Sequence, residues 1–320
     1  MKDAEIAQGI VFPQDRLNKK NKEKLGLGFE VNQGIFLFNK KELEALDIEN
    51  ELIKPFYTTS ELGKYYGNKD CKEWMIYAKT QIKNEISSYP KFKKHIEQFS
   101  EILTSDNKPY GLHRARNEDF FVGEKIISIR KNNEPYFTYT DFDCYVSQTF
   151  YSIKSNRFNL KHLTALLNSS LIKFWLRYKG KMQGDNFQVD KEPLLYIPIV
   201  KAQDVVPFVN LVDYILFLKS NKDILTHTDN DSISSHIASI LDMMVYELYF
   251  EKHMKEEGLN VLEFIKPNPF IETTSVQQKS EIIKNFYEWF QEPENAVRQR
   301  MLLIETRSPD ILALINSSTI

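Results

Sequence analysis

The stretch CYVSQTFYSIKSNRFNLKHLTALLNSSLIKFWLRYKGKMQG, residues 144–184, has a composition unlike the rest of the chain. It contains seven basic residues and no Asp or Glu, and aromatic side chains are interleaved with the basic ones. Residues 223–320 show the opposite balance, with 16 acidic residues against 8 basic ones. The net charge of −2 therefore combines a basic region with an acidic one. We expect the basic region to attract polyanions and the acidic tail to repel them.

Within this stretch the apolar residues recur at helical spacing in two successive groups. They are Leu160, Leu163, Leu166 and Leu167, then Leu171, Phe174, Trp175 and Tyr178. Asn159 can cap the first helix, and the polar run 168–170 interrupts the pattern as caps do between two helices. Gly180 can end the second helix and begins a polar loop that reaches Asn186. A solvated basic helix followed by a surface turn is the alternative interpretation.

The length and composition of the chain indicate a globular protein of two or three units. Its 320 residues are 42% hydrophobic and 27% charged, as in soluble proteins. No apolar run approaches the roughly 20 residues of a membrane span, and the N-terminus lacks the apolar segment of a signal peptide. Cys71 and Cys144 fit no metal-ligand spacing, so we expect a cytoplasmic protein that contacts no membrane.

Before the two helices the chain alternates short strand-like segments with turns, and after residue 200 it is helical. Charged residues 15–24 are expected to form a mobile loop, and a helix with Phe92, Ile96 and Phe99 on one face should begin near Pro90. Residues 194–199 are expected to form a last strand. The predicted fold class is α+β, with a twisted mixed or antiparallel sheet, flanking helices and an all-helical C-terminal region.

Catalytic motifs are not recognisable in this sequence. A dinucleotide or S-adenosylmethionine site needs a glycine-rich turn between a strand and a helix, whereas the glycines at 26 and 28 follow a charged loop. The Asn-Pro-Phe at 268–270 lacks the second proline of an adenine methyltransferase motif and is better explained as a linker. The six histidines show no zinc spacing, and His95 is expected at the surface.

Several segments, taken in order, resemble the TaqI-like C-terminal specificity domain of adenine-specific DNA methyltransferases in restriction-modification systems. The resemblance spans about residues 9–265 and includes YPKFKKHIEQF at 89–99, HRAR at 113–116, LLNSS at 166–170 and LYIPI at 195–199. It implies that residues 1–24 are a linker from a missing catalytic domain. It further implies that residues 25–200 are the DNA target-recognition domain, followed by a helical region at 201–320.

The resemblance implies that the module reads double-stranded DNA for a methyltransferase or endonuclease domain, joined in cis or acting in trans. S-adenosylmethionine and Mg²⁺ would then bind to the missing domains, and this chain would hold no cofactor, metal or catalytic residue. Candidate phosphate contacts are Arg114, Arg116, Lys179 and Lys181. Candidate base-reading residues are His113, Gln183, Asn186 and Gln188.

Each candidate also has a structural explanation. An exposed or ion-paired cation accounts for the basic residues, and loop amides are common at protein surfaces. Lys125 is expected to pair with a carboxylate, and Trp74, Phe174 and Trp175 to lie in the core. Two other functions stay open, namely a protein–protein docking scaffold whose basic stretch binds an acidic partner, and a self-contained nuclease or transferase with an unrecognised site.

Overall fold

The structure is a computed structural model that describes residues 1–104 and 109–316. Within these residues the chain forms three sheets with interspersed helices, then a region of helices alone. The strands are β1 (Ile6–Gln8), β2 (Leu37–Asn39), β3 (Ile53–Tyr57), β4 (Tyr65–Tyr66), β5 (Glu73–Ile76), β6 (Lys125–Ile129), β7 (Lys131–Asn132), β8 (Phe137–Thr140), β9 (Tyr145–Val146), β10 (Phe150–Ile153), β11 (Lys181–Gln183) and β12 (Asn186–Gln188). The helices are α1 (Lys19–Leu25), α2 (Lys40–Ala45), α3 (Ile82–Glu85), α4 (Pro90–Glu97), α5 (Leu160–Leu167), α6 (Ser170–Lys179), α7 (Lys191–Tyr196), α8 (Val206–Ser220), α9 (Asn230–Tyr249), α10 (Glu251–Glu256), α11 (Val276–Gln291), α12 (Ala296–Arg307) and α13 (Pro309–Asn316).

The largest sheet has the strand order β1-β10-β6-β8-β4 and is antiparallel except for the β4–β8 pair. All five residues of β6 and all four of β8 and β10 are buried, as expected for central strands. Helices α5 and α6 cover this sheet through Leu163, Leu167 and Ile172. The four-stranded sheet β2-β5-β3-β9 and helix α4 enclose a separate core around Phe36, Met75 and Phe92. The third sheet, β11-β12-β7, is short and antiparallel.

The C-terminal helices form a third core that extends into the preceding region. Helices α8 and α9 pack together and contribute Phe208, Leu211, Ile237 and Leu241. Tyr65 of β4 and Ala165 and Leu166 of α5 belong to the same cluster. The helical region is therefore joined to the sheets by a continuous apolar contact. The described residues contain no helix long and apolar enough to cross a membrane.

The α+β class and the helical C-terminal region are confirmed, although three sheets replace the single expected one. The two central helices occur where their caps predicted them. The Asn159 side chain accepts the His162 N–H, and the Ser169 hydroxyl accepts the Ile172 N–H. Helix α4 begins at Pro90, and the predicted apolar residues Phe92, Ile96 and Phe99 are buried, although Phe99 lies beyond the end of the helix at Glu97. Trp74, Phe174 and Trp175 are half-buried rather than fully in the core.

Two predictions of local structure are wrong. Residues 191–196 form helix α7 where a strand was expected, because Pro193 suits the first turn and Leu194 and Ile197 bury one helical face. The predicted polar loop after Gly180 is a β-hairpin, with Gly184 at φ +60° in its turn. Alternation of Met182 and Phe187 with polar residues gives this hairpin one inward face.

The N-terminal residues are packed more closely than a linker would be. Strand β1 pairs with β10, and Ile6, Ile10 and Leu17 are buried. The charged run expected to be a mobile loop contains helix α1, which Asn18 caps through the Asn21 N–H. Residues 1–24 are thus part of the folded unit, and the origin of this segment stays a prediction.

Two polar residues occupy environments that differ from the expected ones. His95 is buried, not exposed, and its Nε2 lies 2.9 Å from the Ile35 carbonyl oxygen. Lys125 is fully buried, and its Nζ donates to the carbonyl oxygens of Gly123 and Phe142, at 2.6 Å each, rather than to a carboxylate. Burial lowers the pKa of Lys125 to about 8.

Candidate nucleic-acid interface

Folding neutralises much of the positive charge of residues 144–184. Arg157 pairs with Glu5 at 2.6 Å, Lys161 with Asp213 at 2.6 Å, and Lys173 with Glu134. Lys154 donates to the backbone carbonyls of Asp119 and Val122. The acid-free composition of this stretch in the sequence therefore does not produce an equally basic surface in the fold.

The hairpin β11–β12 carries four of the predicted site residues on one face. Residues opposite each other in an antiparallel pair point to the same side, and this side alternates along each strand. Lys181 lies opposite Gln188, and Gln183 lies opposite Asn186, so all four share a face. The other face carries Met182 and the buried Phe187, which pack on the core of the large sheet. The polar face is thus fixed by burial of the opposite one.

This polar face forms one wall of a groove of about 560 Å³. The groove lies where the hairpin sheet meets the ends of β6 and β10. Its lining consists of amides, hydroxyls and cations with one apolar residue, namely Thr59, Ile129, Arg130, Lys131, Gln148, Thr149, Gln183 and Gln188. Such a surface offers many hydrogen-bond donors and acceptors and little apolar area.

Asp190 organises the hairpin side of the groove. Its Oδ1 accepts from Arg130 Nε at 2.8 Å, and its Oδ2 accepts from Gln188 Nε2 at 2.7 Å. Lys181 Nζ lies 3.8 Å from Oδ2. Burial by itself would raise the pKa of Asp190, but the hydrogen bonds from Arg130 and Gln188 outweigh it and lower this pKa. The carboxylate therefore stays ionised and orients its neighbours.

Arg116 is connected to the groove indirectly, through Gln8. It adopts the left-handed backbone conformation, at φ +69°, which is uncommon for residues other than glycine. Its Nη2 donates to Gln8 Oε1 at 3.0 Å and its Nε to the Gly9 carbonyl at 3.3 Å. Gln8 Nε2 in turn donates to the carbonyl of Gln148, a groove residue. Tyr77 supports the turn by its hydroxyl, which lies 3.2 Å from the carbonyl oxygens of both Ala115 and Arg116.

Tyr151 of β10 lies between strands β1 and β6 of the large sheet. It is opposite Gln8 in the sheet register, and its hydroxyl is close enough to be influenced by charges on both sides. Burial raises the pKa of Tyr151 most strongly, Asp190 raises it further, and Arg130 and Arg116 oppose the rise. The charges of Arg116 and of the Arg130–Asp190 pair therefore both act on Tyr151.

The structure places four of the eight predicted site residues on one face of the hairpin and the other four outside it. Gln183 and Gln188 line the groove, Lys181 and Asn186 share their hairpin face, and Arg116 connects through Gln8. His113 and Arg114 are exposed on the segment leading to Arg116, where the Arg114 backbone pairs with Val11. Lys179 is exposed at the end of α6, just before β11.

Sequence reasoning missed the residues at the centre of the groove. Arg130 and Lys131 follow β6, and Gln148 and Thr149 precede β10, so their proximity depends on the pairing of these two strands. The hairpin itself had a signal, since Gly184-Asp185 between alternating residues is typical of a two-residue turn. In the described part of the chain no group of three or more His, Cys, Asp or Glu side chains could hold a metal ion.

A family model matches the part of the chain that carries this groove. The family model of the TaqI-like C-terminal specificity domain matches residues 54–199. This match confirms the resemblance seen in the sequence, and the matched segment contains every residue lining the groove. No curated protein sequence matches the chain.

The chain also matches parts of solved structures. One is the Type IIL restriction-modification enzyme MmeI in complex with DNA, with a TM-score of 0.47 and 14% identity over 95% of this chain and 35% of that one. Another is the type IIG restriction endonuclease BpuSI, with a TM-score of 0.38 and 13% identity over 77% of this chain and 30% of that one. The chain thus spans about a third of the length of each structure.

Proposed function

We propose that this chain is the module of a restriction-modification enzyme that recognises a specific sequence in duplex DNA. The observation that carries the proposal is the groove within the specificity domain, where amide and guanidinium groups are held on paired strands. Side chains that distinguish base pairs in the major groove of DNA are mostly of these two kinds. A rigid scaffold also lowers the entropy lost when they bind.

The two classes of candidate residue have different tasks in this proposal. Arg114, Arg116, Lys179 and Lys181 would contact phosphates and set the position of the duplex, with little dependence on sequence. Gln183, Asn186 and Gln188 on the hairpin face, together with His113, would contact base edges. A two-stranded ribbon is narrow enough to enter a major groove about 12 Å wide, which supports this role for the hairpin.

The chemistry on DNA would be performed by a methyltransferase or endonuclease domain, joined in cis or acting in trans. In this arrangement the module holds the duplex while the partner domain extracts an adenine for N6 methylation. S-adenosylmethionine and Mg²⁺ would bind to those partner domains. We place the activity in the cytoplasm, which the free thiols of Cys71 and Cys144 suit.

The direct test is selection from a randomised duplex pool by the 320-residue chain at low salt, followed by affinity measurements at several salt concentrations. We expect one short sequence to be enriched, and we expect the logarithm of the affinity to fall linearly with the logarithm of the salt concentration. The exposed Lys252→Ala on α10 is the control, because it leaves the specificity domain unchanged. Absence of binding at low salt would overturn the proposal and favour the docking scaffold.

A further inference from the structure

We propose that Arg130 reads a guanine in the recognised sequence and that Asp190 is the positioning residue that orients it. The inference rests on the proposed DNA recognition and adds a specific reader and a specific base to it. Neither residue is among those that the sequence singled out for base contact.

The backbone of Arg130 is held from both sides. Its N–H donates to the Thr149 carbonyl at 2.9 Å, and its carbonyl accepts from the Val189 N–H at 2.7 Å. These contacts join the end of β6 to the start of β10 and to the end of the hairpin. The backbone of Arg130 is therefore fixed between β10 and the hairpin, which both contribute to the groove, and this fixes the position from which its side chain extends.

Asp190 orients the guanidinium group of Arg130 but accepts a hydrogen bond from only one of its nitrogens. Its Nε–H is bonded to Asp190 Oδ1, while neither terminal nitrogen has a hydrogen-bond partner within residues 1–104 and 109–316. The side chain is 38% exposed, and Arg130 lines the groove. Two terminal N–H groups in one plane match the O6 and N7 acceptors of guanine, which is the commonest specific contact of arginine with DNA.

The neighbouring carboxylate favours a base over a phosphate as the ligand of Arg130. Asp190 lies at 2.8 Å from Nε, so the pair as a whole carries no net charge and attracts a phosphate less than a free arginine does. The terminal N–H donors remain available to the neutral edge of a base. Lys181, which is 66% exposed, has a looser contact with Asp190 and keeps its charge free for the phosphate backbone.

Selection and affinity measurements on single variants of the full chain test this inference. We expect the wild-type motif to contain a guanine that becomes degenerate with Arg130→Ala. Affinity for the guanine-containing site should fall about 10- to 100-fold, while sites with another base at that position change little. Arg130→Lys should also lose much of the discrimination, because an ammonium lacks the planar pair of donors.

The positioning role of Asp190 has its own readout. Asp190→Asn keeps the shape of the side chain but removes its charge, so Arg130 should stay able to bind while its orientation is less defined. We expect the guanine preference to weaken by a smaller factor than with Arg130→Ala, and affinity for unrelated sequences to rise as a negative charge is lost. Thermal unfolding of each variant establishes that the fold persists.

The possible outcomes separate this inference from the function on which it rests. If the wild-type chain enriches no sequence, the proposed function fails, and this inference fails with it. If a motif is enriched but Arg130→Ala leaves it unchanged, only the inference is overturned. Equal loss of affinity for all sequences would identify Arg130 as a phosphate contact, and Lys181→Ala provides the reference for that behaviour.

Discussion

The groove and the seam, by which we mean the buried contact of α5 and α6 with α8 and α9, are both rich in polar groups, yet they use them differently. In the groove the terminal nitrogens of Arg130 and the amide oxygen of Gln188 are not bonded within the described residues. In the seam Asp242 accepts the Ser170 N–H at 2.9 Å, and the Ser170 and Tyr246 hydroxyls lie 2.6 Å apart. These groups of the seam therefore hold the fold together, whereas these donors and acceptors of the groove have no partner within the described residues.

Asn168, next to the seam, forms three side-chain hydrogen bonds within the fold. Its side-chain oxygen accepts the Phe137 N–H, and its nitrogen donates to the carbonyls of Phe137 and Thr164. Tyr65 enters the same region in the left-handed conformation, at φ +69°, and is buried among the C-terminal helices. We therefore expect substitutions in the seam to change stability and substitutions in the groove to change binding.

The largest effect should come from Leu166→Ala in the seam. Leu166 is completely buried in the cluster shared by α5 and the C-terminal helices. Removing a buried leucine side chain costs the transfer free energy and leaves a cavity, so we expect unfolding to become easier by about 2–5 kcal/mol. Chemical denaturation measures this change. Leu302→Ala on α12 is the control, since Leu302 is 71% exposed, and an equal loss there would contradict the assignment of the seam as core.

The stability of the protein should also depend on pH, through His162 in the seam. His162 is buried against Phe208, and its Nε2 has no hydrogen-bond partner in the described residues. Burial lowers the pKa of His162 from 6.5 to about 4. As the pH falls below about 6.5 the unfolded chain binds a proton that the folded chain does not, so stability is lost, by about 2 kcal/mol at pH 5.

His162→Gln tests this effect because glutamine does not titrate. The measurement is the free energy of unfolding between pH 7 and pH 4.5 for the variant and the wild type. The variant should lose less stability than the wild type on acidification, whatever its stability at pH 7. The exposed His227→Gln is the matched control. Parallel pH curves for His162→Gln and the wild type would show that this imidazole is not the source.

How much of the fold could be predicted from the sequence depends on how far apart in the sequence the interacting residues are. The caps at Asn159 and Ser169 act within three residues, so helices α5 and α6 were predicted well. Residues 194–196 belong to the strand expected at 194–199 but lie in helix α7, because a short apolar run fits both structures and the packing of Leu194 and Ile197 decides between them.

The range of the interactions also determines which groove residues could be predicted from the sequence. The hairpin residues were selected for their chemical type, and their common face follows from a turn signal that local reasoning can use. The basic stretch was misleading because its partners, such as Glu5 and Asp213, are remote in sequence. Arg130 and Asp190 are 60 residues apart, and their contact requires knowledge of the strand pairing.

Arg116 has both a structural role and a proposed DNA-binding role, so we expect its substitution to change both stability and binding. Arg116→Ala removes the hydrogen bonds to Gln8 and Gly9 but keeps the left-handed backbone, so we expect a loss of about 1 kcal/mol in stability. Arg116→Gly removes the same bonds and tolerates this backbone, so it should be more stable than the alanine variant by about 1 kcal/mol. Chemical denaturation compares them. DNA affinity should fall equally in both, and restoration of binding by glycine would indicate a backbone role alone.

The smallest effect on stability should come from Lys181→Ala, although it lies beside the central carboxylate of the groove. Lys181 is 66% exposed and lies 3.8 Å from Asp190, and such surface pairs contribute less than about 1 kcal/mol. We therefore expect the unfolding free energy to change by no more than about 0.5 kcal/mol. The salt dependence of DNA affinity should become shallower by about 0.9 on the double-logarithmic scale, which corresponds to one phosphate contact. Lys252→Ala, also at a highly exposed lysine, should leave this slope unchanged. An unchanged slope for Lys181→Ala would remove this residue from the proposed interface, and the hairpin would then contact DNA through Gln183, Asn186 and Gln188 without a cation of its own.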